Sequence, residues 1–211
     1  MEEIKIIESI KKEDTDFIKD NIELRVSFEK IFNDWFKEED QEINRRNIDQ
    51  LFTEFPIFSI MIINNKVQAF AIGRSYNEFT RMWISHVRSN MTGGCTKVIN
   101  KLLDFWWDKE KLEFKNNFNI SLDVLSDNNP AINCYKKFGF NDMDKKYNFV
   151  VEKDKYLFDL SKKDYISKYL LPKSIKELAI NSFKKNKNLS TDFLLNSSQI
   201  INNIQLYLNK L

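Results

Sequence analysis

The sequence predicts a mixed α/β fold over residues 1–160. A helical C-terminal extension follows over residues 161–211. Three observations carry this prediction. Short β-branched and aromatic runs with period-two alternation recur through the first 160 residues and then stop. Amphipathic stretches of helical period sit between them. Glycine and proline are scarce, 4 and 3 in 211 residues, so each marks a place where the backbone is constrained.

Ile4 to Ile10 reads as a first strand. Asp14-Thr15-Asp16 then caps a helical stretch carrying Phe17, Ile18, Ile22, Val26 and Phe28, and a second, charged stretch with Trp35 and Phe36 runs from Ile31 to Phe52. Phe58 to Ile63 and Val67 to Ile72 flank Asn64-Asn65, the pattern of a hairpin whose turn needs two residues with positive φ. Arg81 to Val87 is the next strand. Beyond Gly93-Gly94, the residues Val98, Ile99, Leu102, Leu103 and Trp106 share one helical face. Ile120, Leu122 and Val124 alternate with Ser121 and Asp123 in another strand. Asn129-Pro130 opens a short helix with Asn129 as its cap, and Gly139 ends it. Asn141 to Leu160 supplies two last strands. Tyr165 to Leu171, Ile175 to Phe183 and Phe193 to Leu211 read as helices of the extension, with Ile200, Ile201, Ile204 and Leu208 forming an apolar stripe on the last.

Composition narrows the function classes. Hydrophobic residues make up 42% and aromatics 14%, which excludes global disorder. Thirty-three basic residues against 31 acidic ones leave a net charge of +2, without the broad positive field of a nucleic-acid binder. One histidine and two cysteines, Cys95 and Cys134, form no metal-ligand spacing, so no metal is expected. No apolar run approaches the roughly 18 residues of a membrane span, and Met1-Glu2-Glu3-Ile4-Lys5 does not resemble a secretory signal. A cytoplasmic protein without membrane attachment is expected.

Chemistry concentrates in two stretches. Arg88-Ser89-Asn90-Met91-Thr92-Gly93-Gly94-Cys95-Thr96-Lys97 joins a strand to a helix through a small-residue loop. Such a loop presents backbone N–H groups at the positive end of a helix dipole, where phosphate or pyrophosphate binds. It lacks the spacing of a Walker loop or a dinucleotide fingerprint. The second stretch runs from Ser121 to Phe140 and contains Asn128, Ala131, Tyr135, Gly139 and Phe140 in the spacing Asn-x-x-Ala, three residues, Tyr, three residues, Gly-Phe.

This second stretch resembles the second conserved motif of the GNAT N-acetyltransferases, and the order of elements over residues 4–160 is similar to theirs, which implies their mixed, mostly antiparallel, twisted sheet flanked by helices. The resemblance implies acetyl-CoA as cofactor and an amine on a small molecule, peptide or protein as acceptor, with direct attack in a ternary complex. It also implies that the glycine loop cradles the pyrophosphate. The run Met91-Thr92-Gly93-Gly94-Cys95-Thr96 keeps the glycine of the family pattern at Gly94 but has Met91 where a polar or basic residue is usual and Thr96 where a small one is; Lys97 would add charge. Val87, at the end of its strand, would pair with the pantetheine arm, and Asn128 would hydrogen-bond it. Tyr135 would protonate the departing thiolate, since a phenol of ordinary pKa near 10 roughly matches a thiol. Asp123 and His86 are the side-chain candidates for the base, beside the water chain that the resemblance equally implies. The altered loop also leaves open a catalytically degenerate module that binds acyl-CoA or a protein. A relative acting on charged tRNA is disfavoured by the charge balance. The extension would dock on the domain, close over the acceptor or pair two subunits.

Overall fold

In a computed structural model, which describes residues 2–37, 46–76, 81–110, 119–148, 153–161 and 164, the expected alternation of strands and helices is present. The elements are β1 (Glu2–Glu8), α1 (Lys12–Lys19), α2 (Ile22–Lys37), α3 (Ile48–Glu54), β2 (Ile57–Ile63), β3 (Lys66–Tyr76), β4 (Arg81–Ser89), α4 (Gly94–Glu110), β5 (Asn119–Leu125), α5 (Asn129–Lys137), β6 (Asn141–Asn148) and β7 (Lys153–Ser161). They build one sheet of seven strands in the order β1-β2-β3-β4-β5-β7-β6. All neighbours are antiparallel except β4 and β5. The expected helices of the extension, and its pairing of subunits, lie outside the described residues.

Local chemistry explains the elements. Asn64 and Asn65 take φ of 50° and 59°, as the tight β2–β3 turn requires. The helical stretch after β1 breaks in two at Asp20–Asn21, because the Asn21 side chain accepts the Leu24 N–H at 3.2 Å and starts a new helix. That break changes the helical phase. Ile22 and Val26, expected on the apolar face, are exposed, while Phe28 is buried as expected and Leu24, Ile31 and Phe32 join it. Asp14 lies in the first turn of α1 rather than capping it, and accepts the Glu8 N–H at 2.9 Å. At α3, Asn47 and Gln50 form a reciprocal capping box.

The sheet buries a core on each face. On one, Val98, Ile99, Leu102 and Trp106 of α4 and Tyr135 and Phe138 of α5 pack on Met82, Ile84, Leu122 and Phe158. On the other, Phe28, Phe32, Leu51 and Phe55 of the α1–α3 layer pack on Phe58, Phe70 and Ile72. Rings there meet edge to face, as in Phe28–Phe58 with centroids 5.5 Å apart and planes at 87°. Each such buried ring contributes about 1.5–3 kcal/mol through its area alone.

Two irregularities mark β4. Ile72 pairs with His86 and Gly73 with Ile84, so Ser85 is an extra residue that bulges from the β3–β4 ladder. On the other edge, β4 pairs with β5 only from Arg81↔Asn119 to Ile84↔Leu122. Past the bulge the two strands diverge, and the sheet opens into a wedge.

Candidate functional site

The wedge is the upper end of a cleft of about 720 Å³, walled by β4 from Ile84 to Ser89, by Asp123 to Leu125 of β5, by the start of α4 and by one face of α5. Strand divergence leaves main-chain groups of β4 facing the opening, where an extended ligand can take the place of a neighbouring strand. At the far end the chain turns through Met91, Thr92 and Gly93 into α4. Gly93 adopts φ of 79° with open space at its Cβ position. By the geometry of a helix start, the N–H groups of Cys95 and Thr96 have no intrahelical acceptor, and both residues line the cleft.

Most residues singled out from the sequence converge here. His86, Val87, Met91, Thr92, Gly93, Cys95, Thr96, Asp123, Asn128 and Tyr135 all line the cleft. Two stand apart. Gly94 is buried against β3 and β4, where a Cβ would overlap the Ser89 hydroxyl and come within 3.1 Å of Ala69 Cβ. Its N–H is turned to the Met91 carbonyl at 3.3 Å. Its lack of a side chain therefore lets α4 approach the sheet rather than a ligand approach the loop. Lys97 points away from the cleft, with its ammonium held by both carboxylate oxygens of Glu2 at 2.7 Å. Opposite charge on β1 captures the cation expected at the loop.

Asn128 also differs from expectation. It, rather than Asn129, caps α5, its Oδ1 accepting the Ala131 N–H at 3.2 Å. That leaves the amide NH₂ as the end able to donate into the cleft. The positive charge of the cleft comes from residues that no sequence motif singled out: Arg88 at the end of β4, Lys137 on α5 and Lys155 on β7. Asn133 and Lys137, four residues apart, share the cleft-facing side of α5, a spacing that was visible in the sequence.

The remaining candidates differ in environment. Tyr135 is buried, its ring packed against Phe140 and Phe158 with centroids 6.0 and 6.4 Å away. Burial pushes its phenol well above the usual range, with smaller contributions from Cys95, Cys134 and Asp123. Burial likewise pushes the Cys95 thiol up to about 11. Cys134 Sγ lies 3.4 Å from Thr96 Oγ1, so the two cysteines sit half-buried in the cleft wall rather than in the core. Asp123 and His86 face the opposite, α1–α3 side of the sheet, because they alternate with the buried Leu122 and Val124 and the half-buried Val87. Asp123 stands 3.7 Å from Lys155 Nζ. His86 packs its ring against Phe55 and Phe32, with centroids at 5.4 and 5.9 Å. Burial, helped by Arg74, Arg46 and Lys155, lowers its pKa to about 4, so the imidazole is neutral at pH 7. The side chains of Trp35, Phe36 and Trp107, and residues Glu38, Glu39 and Asp40, lie outside those described.

Among the described residues no group of three or more metal-ligating side chains occurs, and no helix is long and apolar enough to cross a membrane. No protein-family model and no curated protein matches the sequence. Solved structures do. An N-acetyltransferase from Staphylococcus aureus is 15% identical with a TM-score of 0.55, over 76% of this chain and 98% of its own. A ribosomal-protein-alanine N-acetyltransferase from Brucella melitensis is 11% identical with a TM-score of 0.53, over 75% and 99%. The NatC complex bound to Gag peptide and CoA contains a chain 17% identical with a TM-score of 0.50, over 75% and 98%. The chain has the fold of these proteins, that of the GNAT acetyltransferases.

Proposed function

We propose, taking that fold as premise, that the protein is an acetyl-CoA-dependent N-acetyltransferase that transfers the acetyl group directly to an amine in a ternary complex. The observation that carries the reading is the cleft itself. A diverging strand pair, a helix start with a glycine turn, and a buried tyrosine on α5 surround one cavity of about 720 Å³. The CoA bound to the NatC complex supports the choice of cofactor. The N–H groups at the start of α4, with Arg88 and Lys137, would hold the phosphates. The free edge of β4 around Val87 and the Asn128 NH₂ would hold the pantetheine arm.

Acetyl-CoA would supply an activated acyl carbon, and an amine would reach it from the α1–α3 side of the sheet, where the strands part past the Ser85 bulge. Tyr135 would donate a hydrogen bond to the departing thiolate and supply its proton, although the burial that raises its pKa makes it a weaker acid than the ordinary phenol expected from the sequence. The proton lost by the amine would leave toward Asp123 and the neutral His86, which share that side, and pass to solvent, from which Tyr135 would regain its own. The residues named here orient the acyl carbon and move protons around it.

Calorimetric titration with acetyl-CoA tests the reading. Thr96→Glu is the informative variant, since an acid in the first turn of α4 favours the helix but repels a pyrophosphate. Micromolar binding by the wild type, weakened tenfold or more in Thr96→Glu with thermal stability unchanged, is expected. A folded wild type that does not bind acetyl-CoA would sink the proposal.

A further inference from the structure

The α1–α3 face of the sheet carries a cation with no anionic partner among the described residues. Arg74 continues the Phe70, Ile72 alternation on β3 and so projects to that face, its guanidinium carbon 4.6 Å from the Phe55 ring centre. Its Nε is buried and has no hydrogen-bond partner. Among the described residues no carboxylate pairs with it. The other cations nearby are matched: Arg46 Nε by Glu54 at 2.8 Å and Lys155 by Asp123 at 3.7 Å. A buried donor without an acceptor costs free energy.

Position gives this cation a use. The ring of Phe55 lies between Arg74 and His86, contacting the imidazole edge to face, and His86 lines the cleft. Arg74 stands opposite Trp83, on the side of the Ser85 bulge away from the glycine turn. The phosphate end of the cleft and Arg74 therefore flank the reacting region from opposite directions. The imidazole, whose pKa is lowered first by burial and next by Arg74, reports a locally positive environment.

We propose that Arg74 anchors a carboxylate of the acceptor, so that the acetylated compound is an amine bearing a carboxylate, such as an amino acid or peptide, and not a polyamine. This rests on the acetyltransferase reading of the cleft. A guanidinium offers a planar fork that matches a carboxylate with two parallel hydrogen bonds, and stacking on Phe55 fixes its plane. A polycationic acceptor would meet Arg74 and Lys155 as like charges.

The test uses the full chain with saturating CoA and reads thermal stability against glycine, β-alanine, 4-aminobutyrate, lysine and glycylglycine, each beside its C-terminal amide, with O-phosphoethanolamine as a phosphate-bearing amine. At least one free acid is expected to raise Tm with concentration while its amide does not. Arg74→Met, which keeps the stem over Phe55, is expected to abolish that response, and Arg74→Lys to retain part of it. In transfer assays Arg74→Met should raise KM for the responding acid tenfold or more with KM for acetyl-CoA unchanged. Equal response to acid and amide, a response surviving in Arg74→Met, a response to the phosphate compound alone, or none at all would each overturn the proposal. Should Arg74→Met not fold, the acid-to-amide pairs on wild type and Arg74→Lys still decide. A carboxylate response in a protein that fails to bind CoA would keep the anion subsite and discard the acetyltransferase reading instead.

Discussion

Gly94 and Ser89 meet so closely that no side chain fits between them. Ser89 Oγ is itself fixed, donating to the Met91 carbonyl at 2.7 Å and accepting the Met91 N–H at 3.1 Å. The contact sets how near the start of α4 comes to β4, and hence the shape of the phosphate end of the cleft. Gly94→Ala is expected to cost about 1–3 kcal/mol of stability through overpacking. Ser89→Gly combined with it should return part of that loss, read from urea midpoints at constant slope. A neutral Gly94→Ala would mean that the helix start can shift away from the strand without penalty.

Tyr135 should separate binding from chemistry. Removing its hydroxyl leaves the ring packed on Phe140 and Phe158, so Tyr135→Phe is expected to fold with stability within about 1 kcal/mol of wild type. Transfer should slow by about 10²-fold or more, with affinity for acetyl-CoA preserved. Stopped assays with a small amine and a calorimetric Kd together check this. An unchanged kcat would remove the tyrosine from the proton path.

The histidine predicts a pH dependence of stability whose sign is fixed by its surroundings. His86 has a folded pKa of about 4, below its ordinary 6.5. As pH falls from 6.5 toward 4 the unfolded chain takes up the proton and the folded one does not, so stability declines across that window. Above 6.5 both states are neutral and the effect vanishes. The full loss is up to about 3 kcal/mol. His86→Phe, suited to the Phe32 and Phe55 surroundings, should flatten that part of the Tm-against-pH profile. A wild-type profile flat between about pH 4.5 and 7 would contradict the buried neutral imidazole.

Much of this was legible in the sequence because local rules dominated. The Asn64-Asn65 turn, the period-two strands and the Asn128-to-Phe140 spacing each depend on residues close in the chain. The motif placed Tyr135, Asn128 and the loop around one cleft. What escaped the sequence were consequences of long-range proximity. Lys97 reads as a loop cation until Glu2, 95 positions away, is seen to hold it. Gly94 reads as part of the cradle until Ser89 and Ala69 are seen behind it. The exposure of Ile22 and Val26 follows from Asn21 capping a new helix, a competition between one side-chain bond and an uninterrupted helical face that periodicity alone does not resolve. Arg74 carried no motif, and only its burial beside Phe55 and His86 singles it out.

The short run of pairing between β4 and β5 has a consequence for the stability of the protein. Only four residue pairs stitch those strands together before they part, and a ligand lying along the open edge adds the missing rungs. Such a ligand contributes to folding by mass action, about 2.7 kcal/mol when present at roughly a hundred times its Kd. On the proposed reading acetyl-CoA is such a ligand, and Tm should rise with its concentration.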